Sequence, residues 1–280
     1  MRVSDICDFM REFAPPALSE SWDNTGLLLG DPAEEIQRLM TCLTLTPETV
    51  GEAVREKADM IISHHPMPFR PVSQITSENS VGRILRELIR ADIALYSPHT
   101  SFDSASRGIN QQIAEGLRLT GITSLLPCEM KKQTEEYQHS VPGSHAEYSV
   151  VGTGRIGSFP EPITLQTCLR IVKTFFALPY VQYVGDLKQK VQKIAVGCGA
   201  AGDFLRHAVR ENCDLFLTGE TNYHTQLEAK ASGVSLILMT HFASERFACL
   251  NLAAILRERF PNLQYVWGSQ EESDPLHTFF

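Results

Sequence analysis

A repeat constrains this chain more than any other feature. AVREK at 53–57 returns as AVREN at 208–212, and the following ADMIIS at 58–63 returns as CDLFLT at 213–218, all at an offset of 155 residues. The first copy has the pattern of a β-α-β unit. A strand is expected over Leu39–Leu45, and Thr46 caps a helix with Pro47 in its first turn. That helix ends near Lys57, before a strand over Met60–Ser63. A second match follows in the same order. Strand IALYSPH reaches His99 and strand SLILMTH reaches His241, with Asp103 four residues after the first histidine and Glu245 four after the second. Its offset is 142, the difference being assigned to a longer 66–80 loop in the first copy. Two blocks in one order, each ending in polar residues at corresponding places, read as an internal duplication.

Near-continuous apolar strands separated by helices predict parallel or mixed sheets covered on both faces. The expected fold is α/β, with two similar three-layer α/β/α domains, mixed sheets and a metal site between them. Residues 1–127 would form the first domain and 128–280 the second, with the C-terminal helix packing back on the first. At 280 residues and 43% hydrophobic, the chain can bury cores of that size. Its 25 basic and 33 acidic residues give a formal charge of -8, which argues against general binding to nucleic acid or an anionic membrane. The seven cysteines are scattered singly without a CxxC, as expected of reduced, buried thiols in a cytoplasmic protein. MRVSDICDFM lacks the make-up of a signal peptide, and no window approaches eighteen apolar residues.

Two glycine-rich stretches invite a phosphate-binding reading. Gly152, Gly154 and Gly157 have GxGxxG spacing, but Phe159, Pro160 and Pro162 precede the next helix at about 164–176. A hairpin or loop is therefore expected there instead of a dinucleotide site. CGAAGD at 198–203 follows a strand over Ile194–Gly197 and reads first as a tight turn, with an anion nest as the alternative.

The polar residues at strand ends carry the chemistry. His64 and His65 follow an apolar strand and precede Pro66, Pro68 and Pro71. Neighbouring side chains on extended backbone diverge, so the pair either turns onto one ion or serves two adjacent ones. A helix starting near Ala243 would bring His241 and Glu245 over the end of one sheet. Imidazoles with carboxylates make a borderline-hard donor set suited to divalent zinc, manganese, iron, cobalt or nickel, and not a calcium cage. Two such ions sharing a water would lower its pKa, the usual logic of metal-assisted hydrolysis.

At these residues the chain resembles the NIF3-like proteins, dinuclear metal-centre proteins often labelled GTP cyclohydrolase type 2 homologues. The matching pieces are WDNTGLLLGDP at 22–32, ISHHP at 62–66, HTSFDSASRGIN at 99–110, TGETNYH at 218–224 and THFASERF at 240–247. The resemblance implies two divalent ions per chain, held by His64, His65, Asp103, His241 and Glu245. Glu245 would bridge, with His65 and Asp103 on one ion and His64 and His241 on the other. It also implies a homohexameric ring, a trimer of dimers. Thr240 stands where the family commonly has glycine, and HTSFD replaces the usual HTNLD; neither change removes a ligand.

Outside that set, His99 is expected to orient a ligand from behind. Glu220 and His224 are candidates for proton transfer, Glu220 as a general base. Trp22 and Asp23 are expected to fix their turn through burial and local hydrogen bonds. His139, His145, His207 and His277 receive no role. The leading functional expectation is a metal-dependent hydrolase acting through a metal-bound water on a small nucleotide-like or phosphorylated substrate. The alternative is a non-enzymatic metal-binding scaffold, chaperone-like or regulatory. Neither nucleic acid nor a membrane is an expected partner.

Overall fold

The computed structural model, which describes residues 1–127 and 151–277, carries two large mixed sheets. Met1–Phe102 and Arg246–Phe280 form one unit, and Asp103–Glu245 form the other. This division differs from the expected cut at 127/128 because strand pairing reaches across it. β5 (Thr120–Thr123) pairs antiparallel with β8 (Arg155–Thr164), which ties the residues after Asp103 to the second unit. The C-terminal strand Tyr265–Gly268 pairs parallel with β2 (Arg38–Cys42) and returns the chain's end to the first.

In the first unit the sheet order is β1 (Gly26–Leu29), β4 (Ala94–Ser97), β3 (Met60–Ser63), β2 and the C-terminal strand. β2, β3 and β4 run parallel, and β1 is antiparallel to β4. Helices α2 (Pro47–Arg55) and α3 (Ser80–Ala91) cover one face, where Val50, Ala53, Ile84 and Leu88 pack on Met40, Cys42, Ile61 and Leu95. The opposite-facing Leu39, Met60, Ile62, Ala94 and Tyr96 are equally buried, so both faces are covered. Thr46 caps α2 as its sequence indicates, accepting from Thr49 N.

The second sheet follows the order β5, β8, β10 (Lys190–Gly197), β11 (Leu215–Thr218), β12 (Ser235–Leu238), β9 (Gln182–Val184). β10, β11 and β12 are parallel, and β9 is antiparallel to β12. Leu205, Ala208 and Ala229 from the two following helices pack on Ala195, Phe216 and Leu236. The duplication is visible at the level of individual bonds. Asp59 accepts from the backbone of Gln37 and Arg38, and Asp214, 155 residues later, accepts from Gln192 and Lys193. Arg38 and Lys193 in turn donate to the carbonyls of Glu56 and Glu211.

The second block of the repeat needs a correction by one residue. Ala94 N donates to Asp59 O and Ser235 N to Asp214 O, an offset of 141. The left-handed residues His99 and Thr240 keep that spacing, so Thr240 occupies the place equivalent to His99. His241 stands one residue further on.

The GxGxxG segment opens no helix, and it is a strand-to-strand turn and not a hairpin, because the strands on either side of Gly154 pair with different partners. β7 (Gly152–Thr153) pairs with β6 (Leu126–Pro127), and Gly154 turns the chain into β8. That ten-residue strand was hidden by its prolines. Pro160 and Pro162 lie in the irregularity where the register with β10 shifts between Val191 and Lys193, a place where a missing ladder donor costs little. A short helix, α4 (His99–Ser104), precedes α5 (Ile109–Gly116), which starts after Gly108. Residues 128–150, including Cys128, His139 and His145, lie outside the described residues. The other six cysteines are buried and form no disulfide with one another, and no helix among the described residues is long and apolar enough to cross a membrane.

Candidate metal centre

In the first unit, the backbone continues its ladder past β3. His64 N and His65 N donate to Cys42 O and Leu43 O, each at 2.9 Å. Ser97 Oγ and Ser63 Oγ hold the carbonyls of His64 and His65. The two rings lie 5.1 Å apart, and His99 joins them at 5.3 and 5.6 Å. One ring nitrogen from each of the three lies within 4.8 Å of the others. His99, expected behind the ligands, is thus a member of the cluster.

Two of these rings are held through Nδ1. Thr44 Oγ1 lies 2.7 Å from His65 Nδ1, and Asp23 Oδ1 lies 2.6 Å from His99 Nδ1. The Asp23 side chain has no exposed surface and also accepts from Thr100 N, the Thr100 hydroxyl and Asn24 N. Burial alone would raise the Asp23 carboxyl, but the bonds from His99 and Thr100 outweigh it and bring it to about 2. Asp23 therefore fixes its turn as expected, whereas Trp22 does not, being 60% exposed.

In the second unit, helix His241–Arg259 begins at His241 itself, two residues earlier than expected. His241 and Glu245 are then one turn apart on one face. Their Nε2 and Oε2 atoms are 3.0 Å apart, and Glu220 Oε1 lies 3.0 Å from His241 Nδ1. Burial would lower the His241 imidazole; the flanking carboxylates of Glu245 and Glu220 raise it to about 9. Glu220, expected to act as a base, is therefore the carboxylate behind this ring. His224, its expected companion, is exposed in the first turn of helix Tyr223–Ser232, with its ring against Tyr223.

The turn at Cys198 supports Glu245 and Asp103. Gly199 is left-handed, and a Cβ there would collide with Glu245 Oε1. Its N–H donates to Ser244 Oγ and that of Cys198 to Asn110 Oδ1, so both amides are used internally. These two bonds are those of a packing turn. Cys198 Sγ donates to Asp103 Oδ1 at 3.2 Å, and burial, followed by the Asp103 and Glu245 charges, keeps the thiol protonated. Arg155, fully buried, donates to the carbonyls of Ser104 and Ala105 and so anchors the loop after Asp103. Sequence reasoning missed Arg155 and Thr44. Neither carried a signal: Arg155 lies in a stretch that reads as a loop, and a threonine before a helix cap is ordinary.

The described residues thus contain histidine and glutamate groups able to hold a divalent metal ion. Comparison with known proteins places the chain in a family. A curated relative from Clostridium perfringens, named GTP cyclohydrolase 1 type 2 homolog, is 31% identical over 99% of both chains. One from Schizosaccharomyces pombe, named Protein NIF3 homolog, is 31% identical over 94% of this chain and 93% of that one. The crystal structure of Staphylococcus aureus protein SA1388 superposes with a TM-score of 0.85 at 28% identity, covering 100% of this chain and 99% of that one. The family model for Duf34/NIF3 (NGG1p interacting factor 3) matches residues 1–275. The chain belongs to the Duf34/NIF3 family.

Proposed function

We propose that His64, His65, Asp103, His241 and Glu245 hold two divalent metal ions and that the protein is a metal-dependent hydrolase of a small nucleotide-like or phosphorylated substrate. The observation that carries this reading is the way the rings are held. His65 and His241 each have Nδ1 engaged by a side chain of their own unit, Thr44 and Glu220, and His99 beside His64 and His65 is held the same way by Asp23. An imidazole fixed through Nδ1 presents Nε2, and such backing partners orient metal-bound histidines and raise their basicity. Ions held there supply Lewis acidity and acidify water, the chemistry hydrolysis needs. Glu220 is a positioning residue in this reading, setting the His241 ring, and Asp23 does the same for His99. A homohexameric assembly belongs to the same proposal, with sedimentation velocity as its test.

Metal-replete protein is expected to turn over at least one member of a panel of phosphomonoesters, nucleotides and cyclic amides. Glu245→Gln should reduce that turnover by about 100-fold or more, and Glu220→Gln by about tenfold, the usual range for a residue that orients a ligand. No turnover across the panel by metal-replete protein would remove the hydrolase reading and favour the scaffold. Gly199→Ala tests the cradle independently of activity. The added methyl must displace the Glu245 carboxylate from a left-handed turn. A loss of about 1–2 kcal/mol in stability is expected, with divalent metal retention, measured by elemental analysis, falling several-fold.

A further inference from the structure

Trp22 is 60% exposed and Phe69 44% exposed, and their ring centroids lie 5.9 Å apart. Each also borders His99, at 6.1 and 6.0 Å. His99 in turn touches the rings of His64 and His65. One imidazole therefore connects an open aromatic pair to the histidine cluster, entirely within the first unit. Neither aromatic sits on a loose loop. Asp23, next to Trp22, is locked to His99 and Thr100, and Asn24 Nδ2 donates to Pro68 O at 2.7 Å, tying the Trp22 turn to the Phe69 loop. Pro66, Pro68 and Pro71 stiffen that loop. Exposed rings held this firmly lose little freedom when a ligand covers them. The exposed Arg70 follows Phe69 on the same loop and adds positive charge.

We propose that Trp22 and Phe69 form the subsite for a planar heteroaromatic ring, such as a nucleobase, whose phosphate arm extends toward the His64–His65–His99 cluster. Aromatic faces select the ring, while imidazoles, a cation held by them, and Arg70 select the anion. The substrate class narrows accordingly to heteroaromatic phosphates; an aliphatic phosphoester gains nothing from the rings. Placement of the arm rests on the metal reading above, but stacking does not.

Trp22 is one of two tryptophans, and the other, Trp267, is buried. A ring stacked on Trp22 is therefore read directly as fluorescence quenching. Full-length, metal-replete protein is titrated with adenosine 5′-monophosphate, guanosine 5′-monophosphate and ribose 5-phosphate. At least one nucleotide should quench the emission and bind about tenfold or more tighter than ribose 5-phosphate, the margin one stacked base confers. With affinities measured by isothermal titration calorimetry, Trp22→Leu and Phe69→Leu should each shrink that margin severalfold while leaving ribose 5-phosphate affinity and metal content unchanged. Equal affinities for all three probes in the wild type, or a margin that survives both substitutions, overturns the proposal. Should Trp22→Leu alter the sedimentation mass but not the margin, the rings cover a second copy of the chain and the proposal also fails. Quenching by nucleotide in wild-type protein that takes up no zinc or manganese on exposure would instead retain the subsite and remove the metal reading.

Discussion

Arg155→Met is expected to destabilise the second unit by about 3–5 kcal/mol, a large share of the roughly 5–15 kcal/mol that holds a typical domain together. The guanidinium has no exposed surface and spends its donors on Gln111 Oε1 at 2.8 Å, Gly152 O and Gly154 O at 2.7 Å, and the carbonyls of Ser104 and Ala105 at 3.2 and 2.6 Å. Burial lowers it to about 10, so it stays charged at neutral pH. Methionine fills similar volume but leaves several buried carbonyls without a donor, at about 1–3 kcal/mol each. Arg155→Lys keeps the charge yet cannot span both segments, and should recover only part of the loss. Denaturant unfolding checks both. Because Ser104 and Ala105 follow Asp103, the lysine variant should also bind metal more weakly than the wild type while still folded.

Glu52→Gln is expected to cost about 2–4 kcal/mol in the first unit. Glu52 is a buried carboxylate on α2, and it accepts from Trp267 Nε1 at 3.0 Å, Ser269 Oγ at 2.6 Å, Gln270 N at 3.0 Å and Glu271 N at 3.1 Å. It thereby fastens the C-terminal strand to the rest of its sheet. A glutamine offers one oxygen and turns an amide N–H toward groups that are themselves donors. Burial by itself would raise the Glu52 carboxyl, but the bonds from Ser269, Gln270, Glu271 and Trp267 bring it below its ordinary value of 4.5. The unfolded chain therefore takes up this proton more readily than the folded one. The resulting stabilisation is complete above the ordinary value and is lost as pH falls through the lower, folded one. Acid unfolding of the glutamine variant should show a correspondingly flatter slope in that window, followed by the emission of Trp267.

Much of the fold was legible because the duplicated unit repeats its letters. AVREK and AVREN mark the same helix end, and Asp59 and Asp214 the same strand clamp, so topology followed from position. The parts that were not legible depend on long-range pairing. β8 carries two prolines that read as loop until its irregular register with β10 is seen, and the division at Phe102 and Glu245 follows from β5 and the C-terminal strand finding distant partners. At the candidate site, the histidines and carboxylates stood out by type and spacing. Their supports did not. Glu220 looked like a base because it lies in a polar loop, and only the geometry puts it behind His241. His99 looked secondary because one letter cannot show that its ring meets two others. Trp22 looked like core, since tryptophan is highly buried on average, but the buried member of WDN is Asp23.

His64, His65, Asp103, His241 and Glu245 are the proposed ligands of divalent metal in this chain. Elemental analysis of the folded wild-type protein, purified without chelator or added metal, tests that assignment most directly. Two divalent ions per chain are predicted, falling to one or fewer in His64→Ala and in His241→Ala. Less than one ion per chain in folded wild-type protein, unchanged after exposure to zinc or manganese, would contradict it.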